Sequence, residues 1–144
     1  MVCIVSLRGF QEKLSDFRRK QFIINLMNSK ALLVLRLGLA FVFLYASISS
    51  FLFPENWIWF IPDWMQKIIP AEPMLMAHAS FELALGIWLI SGKKLFYAAL
   101  VAALDLLAIM LPNIGIFDTV FRDVGLLASA VALALLSRPQ SNEQ

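Results

Sequence analysis

Cysteine occurs once in the chain, as Cys3, and histidine once, as His78. A single thiol excludes an intramolecular disulfide, a CxxC redox pair and a cysteine zinc cage. A lone histidine cannot hold a haem between two imidazoles of one chain, and a metal site built on it would need carboxylates for its other ligands, so no metal is expected. Charge is scarce: Asp, Glu, Lys and Arg make up 15% of the 144 residues and the net charge is +2, which gives nucleic acid nothing to bind. No glycine-rich phosphate loop, nucleophile elbow or HExxH pair occurs, so no catalytic residue is assigned and the chain reads as a non-enzyme on its own. Internal repeats and low-complexity tracts are missing too.

What the sequence has in excess is apolar surface. Hydrophobic residues make up 60% of it and the mean hydropathy is +0.78, more than a soluble domain of this size can hide. Four runs carry the excess. Residues 31–53, ALLVLRLGLAFVFLYASISSFLF, match the roughly 20 residues that span about 30 Å of hydrocarbon. Residues 73–91 follow Glu72 and Pro73 and stop at Gly92; residues 95–111 begin after Lys93 and Lys94 and stop at Pro112. The fourth run covers about 117–136, with Asp118 as its expected N-cap. The short links 91–94 and 112–116 force antiparallel neighbours. The expected fold is all-α, a polytopic membrane protein with four transmembrane helices in an antiparallel bundle.

Lysine and arginine fix the expected orientation. Arg8, Lys13, Arg18, Arg19, Lys20, Lys30, Lys93, Lys94 and Arg138 flank one side of the spans, against Lys67 alone on the other, which places both termini in the cytoplasm of a multi-pass cell-membrane protein. Residues 1–29 then form a basic, amphipathic cytoplasmic segment suited to anionic lipid, without the charge-then-apolar order of a secretory signal. A tail, or a start at Met27 instead of Met1, is the alternative for that segment. Residues 30–137 form the transmembrane domain and 138–144 a cytoplasmic tail. The one long outer connection, PENWIWFIPDWMQKIIPAE, is too short to span and too apolar for an ordinary loop, so an interfacial helix is expected from Pro62, with Trp57, Trp59 and Trp64 at headgroup depth.

Charges inside the runs single out the candidate polar core or ligand site. An ionisable group at the bilayer centre costs about 2.5–3.5 kcal/mol, so such groups face the interior and pair. Glu82 and Asp105 lie near the middle of the second and third helices, where short side chains cannot reach headgroups. Arg36 is the expected partner of Glu82. His78, Glu82 and Gly86 form one stripe at four-residue spacing; Asp105 shares a face with Ala98 and Ala102, and Arg122 with Gly125, Ser129 and Ala132. Arg122 would meet Asp105 or outer phosphates. Arg36 and Arg122 oppose Glu82, Asp105 and Asp123, which leaves one carboxyl to hold its proton at neutral pH.

Three segments are similar to the DoxX-like family of small four-helix membrane proteins: LRLGLAFVFLYASISSF with Arg36 and Gly38, FELALGIWLISG with Glu82 and Gly86, and FRDVGLLASAVALAL with Arg122 and Asp123. Ser47 stands where that family commonly has glycine and Ser50 where it commonly has lysine. The resemblance implies an integral membrane protein allied to redox systems, related to a membrane subunit of thiosulfate:quinone oxidoreductase, with no defined substrate. The expectation is therefore a small subunit of a quinone-linked membrane redox assembly, partnered by the lipid bilayer and an oxidoreductase subunit, with a quinone as candidate cofactor. A proton-coupled carrier, which would need a homodimer, and a noncatalytic scaffold whose charges only fix packing are the alternatives.

Overall fold

The structure, a computed structural model, describes residues 2–138, and no strand occurs among them. Its helices are α1 (Val2–Leu52), α2 (Asp63–Gln66), α3 (Ala71–Ser91), α4 (Leu95–Met110) and α5 (Phe117–Leu136), with 3-10 turns at Pro54–Asn56, Ile58–Phe60 and Ile114–Ile116. The chain divides into two compact units, residues 1–33 and 34–144. In the first, Phe17, Arg18, Arg19, Lys20 and Phe22 are exposed on α1, so basic and aromatic groups there both face outward. The side chains of Arg8, Phe10 and Lys13, like the tail beyond Arg138, lie outside the described residues.

Two helical stretches, Ser29–Leu52 and Ala71–Ser91, are long and apolar enough to cross a membrane, and Leu95–Met110 is apolar but shorter. In the second unit, α1 and α3 run antiparallel, a register fixed at three heights. Arg36 lies against Gly92, Leu44 against Gly86, and the buried Ser47 hydroxyl donates to the Ala79 carbonyl at 2.6 Å. Gly86 is what permits the middle contact: a Cβ there would stand 2.8 Å from Leu44 Cγ. Between α3 and α4 the chain reverses in three residues, with Gly92 and Lys94 both left-handed at φ 68° and 50°. Glycine takes that conformation without a Cβ penalty and ends α3 there.

Helices α4 and α5 pack along each other most extensively. The alanines Ala98, Ala99 and Ala102 are fully buried on α4, as are Ala130 and Leu133 on α5, and small side chains allow this close approach. The face of α5 expected to turn inward does so only in part. Arg122 and Gly125 are exposed, Ser129 and Ala132 half-buried, and the Ser129 hydroxyl donates to the Gly125 carbonyl of its own helix. Ala130, Leu133 and Ala134 are buried instead, and the two alanines let α5 approach its neighbour closely. Asp118 lies one residue inside α5 and not at its N-cap.

The connection between α1 and α3 departs from the expected interfacial helix. Only the single turn Asp63–Gln66 is helical, and Pro54, Pro62 and Pro70 divide the rest into short turns, since proline lacks the N–H that a longer helix needs. Trp59, Trp64, Ile68 and Ile69 are exposed. Trp57 is half-buried and its indole N–H donates to Ser49 Oγ at 3.0 Å.

Candidate functional site

The middle of α3 and the far half of α4 bring the chain's only histidine against two carboxylates. His78 and Glu82 are one helical turn apart, so their side chains overlie one another, and His78 Nε2 is 3.5 Å from Glu82 Oε1. Across the hairpin, His78 Nδ1 is 3.9 Å from Asp105 Oδ1. The imidazole thus bridges two carboxylates on neighbouring helices. The carboxylates are deeply placed, with side chains 7% and 6% exposed, and the imidazole is 37% exposed. Asp105 Oδ2 is buried and has no hydrogen-bond partner. One ligand atom from each of the three lies within 4.8 Å of the others, close enough to share a metal ion.

The cluster borders a cavity of about 880 Å³ at the end of the second unit where α1 stops and α3 begins. Ser49 and Ser50 of α1, Met74 and Leu75 of α3, Leu106 and Ile109 of α4, and Leu126 of α5 form its walls, and Trp57, Trp59, Phe60 and Met65 of the connection close over it. Its acidic and basic groups are His78, Glu82, Asp105, Arg122 and Asp123. Cavities of this size, apolar with a few convergent polar groups, suit a ligand of small-molecule dimensions.

The expected partnership of Arg36 with Glu82 is absent. Arg36 packs its guanidinium into the space that a side chain on Gly92 would fill, ten residues or about 15 Å along α3 from Glu82. Its Nε is buried without a hydrogen-bond partner, and it does not line the cavity. Equal depth along two helices was the basis for expecting that pair; the left-handed glycine, open on one side, receives the arginine instead. Among the described residues Arg122 makes no ion pair, and Asp105 meets His78. Trp57 and Trp59 face the cavity, whereas Trp64 does not line it.

Three polar residues of this half went unremarked as site components in the sequence. Ser50 is 2% exposed and lines the cavity. Ser49 takes the Trp57 indole hydrogen bond. Asn113 is buried, and its amide donates to the Phe60 carbonyl at 3.0 Å and to the Ile109 carbonyl at 2.9 Å, so it ties the connection to the end of α4. The signal for Asn113 was a lone amide inside the apolar stretch 111–117. A buried amide needs partners, and loop carbonyls are the nearest supply.

A family model for DoxX matches residues 31–114. That span contains the end of α1 used by the site, the connection, α3 and α4, and with them His78, Glu82, Asp105 and Asn113; it stops before α5. No curated protein and no solved structure matches the chain.

Proposed function

The chain belongs to the DoxX family, and we propose that it is a small membrane subunit of a quinone-linked redox assembly whose cavity takes the quinone ring. In this reading α1, α3, α4 and α5 all cross the bilayer, with both termini cytoplasmic, as the lysine and arginine bias supports. The 16 residues of α4 extend about 24 Å at 1.5 Å each, and a bilayer thins locally to meet a short span.

The observation that carries the proposal is the His78 bridge between Glu82 and Asp105 at the edge of an apolar cavity of about 880 Å³. A quinone is a flat apolar ring with two carbonyl acceptors. The aromatic cover of Trp57, Trp59 and Phe60 suits the ring, and an imidazole N–H suits a carbonyl. Conversion to the quinol takes two electrons and two protons. A partner oxidoreductase subunit would supply the electrons, and His78, Glu82 and Asp105 would relay protons toward the ring oxygens of a quinone held there.

The test is purification from native membranes in mild detergent, with the organic extract assayed for quinone and co-purifying proteins identified by mass spectrometry. Near-stoichiometric quinone together with an oxidoreductase, the quinone lost in Glu82→Gln while that variant still folds, is the expected result. Protein free of both overturns the proposal. The same buried carboxylates also favour a proton-coupled carrier, for which Glu82→Gln abolishes solute flux at normal expression and quinone is absent.

A further inference from the structure

We infer that His78, Glu82 and Asp105 together bind one divalent transition-metal ion of the zinc or manganese class. The inference does not rest on the quinone reading, and an ion held by these three side chains would take over the groups which that reading uses to relay protons. Donors sharing a tetrahedral ion at about 2.1 Å lie about 3.4 Å from one another. His78 Nε2 and Glu82 Oε1 are already 3.5 Å apart, and one ligand atom from each residue falls within 4.8 Å of the other two. Asp105 approaches the other imidazole nitrogen, Nδ1, at 3.9 Å, so rotation of the imidazole and of the Asp105 side chain brings all three onto one ion. One imidazole and two carboxylates form a nitrogen and oxygen set that fits zinc or manganese better than the thiolate-seeking metals.

Charge gives an independent reason. Two carboxylates, each over nine-tenths buried, face one imidazole, and among the described residues neither arginine of the spans pairs with them. Buried charge must be matched. A dication with neutral His78 brings the cluster to zero net charge. It also gives Asp105 Oδ2, buried with no hydrogen-bond partner, a Lewis acid to meet. Three protein ligands leave a coordination position open, on the side where all three residues border the cavity.

The chain's single histidine makes the test direct. Full-length protein carrying a tag without histidine is stripped with chelator in mild detergent and titrated with Co²⁺, whose visible absorption reports nitrogen and oxygen coordination, and with Zn²⁺. One ion per chain is expected, and Zn²⁺ should slow carbethoxylation of His78 in the unaltered protein. Asp105→Asn should weaken binding by at least about tenfold, the low end of the loss from removing a group that merely supports a metal ligand. Glu72→Gln, an exposed carboxylate outside the cavity lining, should bind as the parent does. No stoichiometric Co²⁺ binding, or a carbethoxylation rate unchanged by Zn²⁺, overturns the inference without depending on how any variant folds. So does full-strength binding by a folded Asp105→Asn. Quinone content is read separately, so the failure of either proposal leaves the other measurable.

Discussion

Ser47 and Gly86 hold α1 to α3 by opposite means, one by adding a bond and the other by omitting an atom. Ser47→Ala removes the donor to Ala79 and should lower stability by about 0.6 kcal/mol, the average for an interhelical hydrogen bond in a membrane protein. Gly86→Ala forces a Cβ against the branch of Leu44 and should cost about 1–3 kcal/mol as overpacking. Denaturant titration in mixed micelles separates the two, and a Gly86→Ala protein as stable as the parent would show that Leu44 moves aside freely. Arg36→Ala should reduce stability yet leave cavity occupancy untouched, because Arg36 meets the end of α3 and not the cluster. Quinone content per chain checks this, and its loss in a folded Arg36→Ala would contradict the separation. At this scale the sequence was only half informative. Depth along a helix singled out Glu82 and Asp105 as deeply placed charges, since that needs only a span and a count. It failed for the partner of Glu82, because depth carries no information on which way a long guanidinium turns.

Helices α3, α4 and α5 follow the apolar runs to within about two residues, the usual uncertainty of helix ends. The runs were legible because length and hydrophobicity are properties of the chain itself. Residues 53–70 were not. The four-residue spacing of Trp64, Met65, Ile68 and Ile69 suggested an amphipathic helix, but only Asp63–Gln66 is helical between Pro62 and Pro70, and the segment is held by individual hydrogen bonds. Asn113 supplies the one that reaches α4 from a distance. Asn113→Leu should therefore free the connection while the helices persist. Hydrogen exchange across residues 54–66 is expected to accelerate with little change in α3 and α4, in line with local opening of a weakly bonded segment. Unchanged exchange there would mean that Trp57 and its bond to Ser49 suffice as the fastening.

At the scale of the whole chain, the lysine and arginine bias sets which loops face outward. In a Cys3→Ser background, a single cysteine introduced at Glu55 should react with an impermeant maleimide added outside intact cells, and one at Arg138 should react only after permeabilisation. Equal labelling of both would break the four-span topology. His78, Glu82 and Asp105 all belong to α3, α4 and the hairpin they make, joined by the three-residue reversal at Gly92. That placement bears on biogenesis. In the proposed four-span topology, a helix entering the bilayer alone with His78 and Glu82, or with Asp105, would expose a polar group to lipid, whereas the two helices entering together would bring those groups face to face. In that topology the tight reversal would make the hairpin the unit of insertion, and a lengthened loop after Ser91 should delay integration of both helices even where the finished protein tolerates it.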